Sequence, residues 1–337
     1  VGRAIAPAKV ARGGDAVGTV RVRNLGRRHT RALTAIDRIG PDAVRVAVPP
    51  LARGAATTVG YRLPTTRRGE LAVGPLLLRS DDPLGLLRRV LVYGEPASVL
   101  VRPRTVPLSA VPTGHRACLD GPTSQTAQGG TTAFHTLREY VPGDDLRHVH
   151  WRTSARTDTL MVRHLVDSAL PETVVVLDLC ATSYPGGDAD LDVAVDAAAT
   201  IAAGMGTEGF PATVYTTTGD KLRIRGVRTV AGLLDRLAVL PLDRRADDPT
   251  ALGRTVEQAR HATPAGGGLA LLTGTGGVIP GRVIAAARPR FGRLALMQAA
   301  APPGEATSPR TVDGVPMAPI TCAEDAAALW QRGARRR

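Results

Sequence analysis

The hydrophobic pattern changes its period near Pro171, and this change constrains the fold more than any other feature of the sequence. Residues 172–179 form an almost continuous apolar run, which is typical of a parallel strand covered by helices on both faces. Residues 190–205 follow with apolar positions at helical spacing, and Asp190 and Asp192 lie near the N-terminus of that helix, where negative charge is favoured. We therefore predict a parallel α/β domain over 171–337. Its further predicted strands are 211–217, 221–225, 268–273, 293–300 and 315–321, and its further helices are 230–240, 250–262, 281–288 and 323–332.

Residues 1–105 follow a different pattern, in which short segments alternate between apolar and polar positions and turns separate them. This pattern predicts a small antiparallel β-sandwich without any helix longer than about 12 residues. Residues 106–170 join the two domains as a linker that also holds a charged segment, and its first part, through Thr132, is predicted to be a loop. The strands predicted in the sandwich are 16–24, 43–48, 57–63, 70–79, 90–93 and 98–101.

The chain carries a net charge of +13 that comes almost entirely from arginine. Such a charge suits nucleic acid, anionic lipid or an acidic protein, but the arginines are spread along the chain, which biased codon usage also explains. The three cysteines are too few and too widely spaced for a disulfide framework, and they indicate a reducing compartment. No run approaches the roughly 20 apolar residues that span a bilayer, and no signal peptide is visible.

The segment 137–156, which we call the signature segment, reads LREYVPGDDLRHVHWRTSAR and is dense in opposite charges. Its arginines and carboxylates can form bidentate pairs that hold the segment rigid, and its aromatic side chains can pack on a sheet. The segment is therefore either a structural joint between the two domains or a surface that recognises a partner. The candidate residues are Arg138, Glu139, Tyr140, Gly143, Asp144, Arg147, Trp151, Arg152, Ser154, Ala155 and Arg156.

The signature segment closely resembles the hallmark of the domain-of-unknown-function 58 family, R-E-Y-x-x-G-D-x-x-R-x-I-x-W-K-x-S-A-R. Val149 and Arg152 stand where that family usually has Ile and Lys. Upstream, Arg68-Gly69-Glu70, Gly74-Pro75 and the segment 82–86 resemble other motifs of the family. Residues 174–178 resemble the first strand of a von Willebrand factor A-type domain, so the resemblance implies that fold for the α/β domain.

A domain of that type carries D-x-S-x-S after its first strand, where carboxylate and hydroxyl oxygens hold magnesium. Here Asp178 and Thr182 match the pattern, but Cys180 replaces the first serine, and a thiol is a poor magnesium ligand. The later acidic position reads Gly274, and Thr250 is a candidate for the loop threonine. We therefore predict a degenerate site with no functional metal and no cofactor.

Two other functions stay open at this stage. Cys180 and Asp178 lie at the carboxyl end of a strand, where α/β enzymes place active sites, so a metal- or cysteine-dependent hydrolase is one alternative. His148 and His150 are expected on one side of a strand, but two imidazoles do not make a zinc site. Nucleic-acid binding rests on charge alone, without a helix-turn-helix pattern, and we do not expect it.

The resemblance implies a non-enzymatic adaptor that works with a MoxR-type AAA+ ATPase in protein assembly or in the cell envelope. It also implies a transglutaminase-like membrane protein as a further partner and a membrane hairpin ahead of the soluble part, which we expect to be absent from this chain because it begins at Val1. The expected location is the cytoplasm, at the inner face of the cell membrane. We expect the ATPase to contact the rim formed by Asp178, Thr182 and Thr273, since loops at the carboxyl ends of parallel strands converge there.

Overall fold

The structure is a computed structural model, and it shows a mixed α/β protein with several sheets. For 132–138 and 163–167 the description covers the backbone alone. In the part of the chain that the structure describes, no helix is both long and apolar enough to cross a membrane. The described residues are 1–82, 86–108, 132–141, 149–157, 159–167, 171–244, 248, 250–301 and 310–332.

Nine strands in the first hundred residues form two sheets that enclose one hydrophobic core. One sheet has the order β1-β3-β6 and the other the order β2-β9-β7-β4-β5, with β8 paired to β7. Residues 1–82 and 86–108 contain no helix, as predicted. The pairing is antiparallel except between β2 and β9, which run parallel. The strands are β1 Gly2–Ala6, β2 Lys9–Ala11, β3 Val17–Arg23, β4 Leu33–Ile39, β5 Asp42–Val48, β6 Ala56–Arg62, β7 Gly69–Asp81, β8 Arg88–Tyr93 and β9 Ala97–Arg102.

Strand β4 is missing from the sequence prediction because a carboxylate occupies one of its inward positions. Asp37 is only 1% exposed and accepts hydrogen bonds from Tyr61 and from Arg3 Nη1, the latter at 3.0 Å. Burial raises the pKa of Tyr61, and the hydrogen bond to Asp37 raises it further. A charge that is paired in this way is tolerated in a core, but in the sequence it interrupts the apolar alternation of a strand.

The second part of the chain folds around a seven-stranded sheet with the order β14-β13-β12-β15-β16-β18-β17. The five inner strands run parallel, and the two edge strands are antiparallel to their neighbours. Helices cover both faces, so alternate residues of the apolar β12 enter two separate cores. Each helix and strand that was predicted after Pro171 is present, with its ends displaced by a few residues. The elements are β12 Thr173–Leu177, α2 Asp188–Thr207, β13 Ala212–Thr216, β14 Lys221–Ile224, α3 Val227–Ala238, α4 Ala251–Ala262, β15 Gly268–Gly274, α5 Gly281–Ala287, β16 Arg293–Ala299, β17 Arg310–Val312, β18 Val315–Ile320 and α6 Ala323–Arg332.

Helix α2 is buried on nearly all sides because the sheet covers one face and the β-sandwich covers the opposite face. The face toward the sandwich carries Asp192, Asp196, Thr200 and Gly204 at four-residue spacing, which aligns them along the helix. The sequence prediction placed Asp192 near the helix N-terminus for its effect on the helix dipole. Its side chain is in fact only 3% exposed and lies between two arginines of the sandwich.

The arginines that meet this face come from two loops of the sandwich. Arg68 is 5% exposed, binds Asp192 and donates to the carbonyl of Leu240 at 2.5 Å, while Arg67 Nε lies 2.7 Å from Asp192 Oδ2. Arg12 binds Asp196 through Nε at 3.0 Å. Burial lowers the pKa of Arg68 and raises that of Asp196, so both charges depend on their partners.

The chain that leaves the sandwich continues along the same face of α2. The backbone N–H of Arg104 donates to Asp196 Oδ1 at 2.8 Å, and that of Val106 donates to Thr200 Oγ1 at 3.4 Å. Leu108 then packs on the helix at Gly204, where a Cβ atom would lie 2.4 Å from its Cδ1. Every second residue of this segment therefore meets every fourth residue of the helix.

Helices α3 and α6 extend the contact with further carboxylates. Asp235 accepts from Lys9 at 2.8 Å and from Arg102 at 2.7 Å, and Glu324 accepts from Arg104. The hydrogen bond from Arg102 lowers the pKa of Asp235, and Lys9 lowers it further. In all these ion pairs the cation belongs to the sandwich side and the anion to a helix of the α/β part.

We predict that Asp192→Ala lowers the free energy of unfolding by about 3–5 kcal/mol, because Arg68 is then buried without a counter-charge. The matched control is Asp188→Ala, one helical turn away. Asp188 is 48% exposed and lies 3.6 Å from Arg67, so its loss should cost less than about 1 kcal/mol. Urea titration of both variants at neutral pH measures the difference, and equal losses would contradict a role for burial.

Candidate functional site

The signature segment lies on a small unit of its own. Strand β10 (Thr132–Glu139) pairs antiparallel with β11 (Met161–Asp167), and helix α1 (Trp151–Thr157) lies between them in sequence. Arg138 and Glu139 end β10. Of the remaining residues of the signature segment, Gly143, Asp144, Arg147 and His148 lie outside the described residues, together with residues 109–131 of the loop predicted over 106–132.

Ser154 joins α1 to β11. Its side chain is buried, donates to the carbonyl of His150 at 3.2 Å and accepts from the backbone N–H of Met161 at 2.8 Å. The ring of His150 accepts from the backbone N–H of Thr153 at 3.3 Å, and so it caps the first turn of α1. His150 was predicted to project from a strand, but it is the residue that precedes α1, directly after the bridge between Val149 and Val162.

Trp151 does not pack on the α/β sheet as the sequence analysis expected, because its side chain is 65% exposed. A small groove of about 270 Å³ lies beside it, also lined by Ala155 and Leu160. Tyr140 is half-buried. The rest of the helix surface is open to solvent, and the exposed signature residues on it are Arg152, Ala155 and Arg156.

We predict that Ser154→Ala detaches α1 from β11, because the N–H of Met161 then loses its acceptor, at a cost of about 1–3 kcal/mol for a buried donor. Hydrogen exchange at Met161 should rise in this variant. Thr159→Ala serves as the control, because Thr159 is exposed and its hydroxyl only contacts neighbouring residues. Unchanged exchange in Ser154→Ala would argue against this role.

The second candidate site lies at the carboxyl end of β12, around Asp178. The side chain of Asp178 accepts from Ser183 Oγ at 2.6 Å, from Thr273 Oγ1 at 2.7 Å and from the N–H of Cys180 at 3.0 Å. It is only 3% exposed, and the hydroxyl of Tyr184 donates to its carbonyl at 2.6 Å. Burial raises the pKa of Tyr184, and the charge of Asp178 raises it further.

Sequence reasoning missed Ser183 because the D-x-S-x-S spacing directs attention to positions 180 and 182. The chain forms a 3-10 turn over Ala181–Ser183, which aims Ser183 at the carboxylate and leaves Thr182 exposed. Two residues matched the pattern, Asp178 and Thr182, but they point in different directions. The signal available in the sequence was Ser183, which lies one residue after the last position of the D-x-S-x-S pattern.

The loop that follows β15 packs against the turn that holds Ser183. At Gly274, where the family pattern has a carboxylate, a Cβ atom would lie 2.0 Å from the carbonyl oxygen of Ser183. The N–H of Gly276 donates to that same oxygen at 3.0 Å. The residues around Asp178 therefore do not fit a magnesium ion, because hydroxyl donors occupy its oxygens and backbone fills the facing position. The described part of the chain holds no group of three His, Cys, Asp or Glu that could hold a metal ion.

Cys180 is half-buried and lies in backbone pairing with Asp243. Its Sγ atom is 3.1 Å from Thr182 Oγ1, a hydroxyl that cannot act as a general base at neutral pH. Thr273 is fully buried, so of the three residues expected to emerge at the rim only Thr182 reaches the surface.

A cleft of about 480 Å³ lies between the first turns of α4 and α5, at the same end of the sheet. Thr250, expected as the loop threonine of a metal site, instead donates to Asp248 Oδ1 at 2.6 Å and belongs to the wall of this cleft. Arg254 pairs with Asp248 at 2.5 Å, whereas no ion pair of Arg282 is found among the described residues. Val278 lies in the neighbouring loop and is 70% exposed.

The fold and the rim thus define a protein with a mixed α/β sheet and a buried carboxylate that hydroxyl groups enclose. Residues 136–264 match the family described as "Protein of unknown function DUF58", which confirms the resemblance seen in the signature segment. The chain is also similar to the "Uncharacterized protein YeaD" of Bacillus subtilis (strain 168), at 26% identity over 147 residues. That alignment covers 43% of this chain and 36% of the relative, so the chain matches only about a third of that protein's length.

We predict that Asp178→Ala lowers the free energy of unfolding by about 1–3 kcal/mol, because two buried hydroxyls lose their acceptor. Thr182→Ala, at an exposed neighbour, should have little effect. Magnesium should neither raise the melting temperature of the native chain nor produce binding heat that depends on Asp178. Calorimetry that gives a micromolar Kd for magnesium or manganese, lost in Asp178→Ala, would overturn this prediction.

Proposed function

We propose that this protein is a non-enzymatic adaptor and that its seven-stranded sheet with the flanking helices is a von Willebrand factor A-like domain with a closed cation site. The observation that carries the proposal is the hydroxyl enclosure of Asp178, the residue at which the family resemblance implies a metal-binding carboxylate. Hydroxyl groups occupy the side chain of Asp178, which makes it a poor ligand for a metal ion, and the thiol of Cys180 lies 3.1 Å from the hydroxyl of Thr182. A ligand at the rim would therefore be bound through contacts with the exposed surface.

The features that support protein binding lie beside the closed site. Val278 and Thr182 are exposed on adjacent loops, and the cleft beyond them has an aliphatic wall from Pro280 and Val283 with Arg282 at its edge. An exposed apolar side chain next to a concave apolar surface is typical of a contact with another protein. As the partner we propose a MoxR-type AAA+ ATPase, which the family resemblance implies.

The test is a pull-down of the purified MoxR-type ATPase from the same organism with the tagged full chain, at low salt with an ATP analogue. We expect the ATPase to be retained by the native chain and lost with the double variant Thr182→Arg/Val278→Asp, which adds bulk and charge to the rim. Leu25→Asp is the matched control, because Leu25 is 86% exposed on the sandwich.

If the double variant and Leu25→Asp both retain as much ATPase as the native chain, the contact lies elsewhere than at the rim. No recovery with the native chain would reject the ATPase as partner. If the native chain hydrolyses an ester or peptide substrate and Cys180→Ala abolishes this activity, the protein is a hydrolase and the adaptor proposal is rejected.

A further inference from the structure

A groove at the edge of the seven-stranded sheet carries four positive charges, and the described residues pair only one of them with a carboxylate. The groove lies between β14 and α3, has a volume of about 480 Å³, and falls within the range of about 300–1,000 Å³ that ligand clefts occupy. Its wall includes four cationic side chains. They are Lys221 and Arg223 from β14 and Arg228 and Arg236 from α3.

These cations differ from those of the interface with the sandwich, where each arginine meets a carboxylate. Among the described residues only Arg236 has a carboxylate within reach, and its Nη2 lies 3.7 Å from Asp220 Oδ1, a long ion pair at the surface. Lys221 lies 4.8 Å from the centre of the Tyr215 ring. No ion pair of Arg223 or Arg228 is found in the described ranges. Like charges gathered in a concave surface raise the local positive potential and attract an anionic ligand.

The backbone at this groove is available for pairing. Strand β14 is an edge strand, hydrogen-bonded to β13 on one side, and no strand among the described residues covers its other side. Basic side chains on an edge strand also serve to prevent unwanted pairing. That purpose requires only the residues of β14, however, whereas here a helix places Arg228 and Arg236 on the same groove.

Gly232 lies in the wall that α3 forms, and because it has no side chain it does not extend into the groove. A Cβ atom built on this residue would meet nothing within 4 Å, so no packing requires the glycine. A glycine inside a helix is destabilising by about 0.5–1 kcal/mol relative to alanine. Its effect here is to leave room for a chain that lies along β14.

We propose that the groove between β14 and α3 binds an extended acidic peptide segment of a partner protein, which adds to β14 as a further strand. Main-chain hydrogen bonds to the free edge would hold the peptide, and its carboxylates would meet the four cations. A nucleic acid is the less suitable occupant, because the lining residues include no aromatic side chain on which bases could stack. This inference concerns a surface other than the rim and does not rest on the proposed adaptor contact.

The experiment measures fluorescence anisotropy of a labelled, amidated peptide of alternating Val and Glu with the full chain. We expect binding that weakens as salt rises, and an affinity at least about tenfold lower for Arg223→Glu and Arg228→Glu. Arg62→Glu is the control, since it makes the same charge change at a side chain that is 85% exposed on the sandwich. Gly232→Met should also abolish binding while leaving the melting temperature unchanged or slightly raised, because the new side chain extends into the groove.

Two further probes separate the proposal from its alternatives. The same peptide with N-methyl groups on alternate residues should bind at least about tenfold more weakly, because strand addition needs its N–H groups. Equal binding of the methylated peptide would overturn strand addition. A dT12 oligonucleotide that binds more tightly than the peptide, and is lost in Arg228→Glu, would identify nucleic acid as the ligand instead. Absence of peptide binding at low salt, or equal loss in Arg62→Glu, would reject the site.

Discussion

Two buried carboxylates on α2 control how the rest of the molecule is arranged. Asp192 and Asp196 are 2% and 0% exposed, and an unpaired carboxylate at such positions would cost several kcal/mol. The guanidinium groups of Arg67, Arg68 and Arg12 supply the counter-charge from the β-sandwich. The buried face of the helix that covers the seven-stranded sheet therefore has its counter-charges only where the arginines of the sandwich meet it.

The same interface affects how the net charge of +13 is interpreted, because part of the positive charge is neutralised there. Several arginines that look evenly spread in sequence are collected in space into two kinds of site. One kind lies against the acidic faces of α2, α3 and α6, where the charges cancel and specify geometry. The other kind is the groove between β14 and α3, where they do not cancel. Composition alone cannot separate the two, because the difference lies in which cations have a carboxylate within reach.

The parts of the fold that sequence predicted are those that depend on local pattern. Buried parallel strands such as β12 are continuous apolar runs, and the helices between them keep their period, so their order was evident after Pro171. Two of the features that the sequence prediction missed share one cause. Asp37 in β4 and Asp192 in α2 are charged residues at buried positions, and the partners that stabilise them lie elsewhere in the chain, for Asp192 as much as 125 residues away. Ser183 was missed for a local reason, because the D-x-S-x-S spacing directs attention to positions 180 and 182. The family signature was identified from its residues, whereas the exposure of Trp151 depends on packing that no local pattern encodes.

Asp178 and Asp192 are both buried carboxylates, but their partners differ, and this difference determines what each site can do. Asp192 is neutralised by guanidinium groups that a second part of the protein supplies, and it holds two parts together. Asp178 accepts hydrogen bonds from neutral donors, and the hydroxyl groups of Ser183 and Thr273 donate their protons to it. Those hydroxyls cannot donate to a partner, and they sit below the surface. A protein bound at the rim would therefore use groups that remain exposed around the closed site, and among the described residues these include Val278, Thr182 and Arg282.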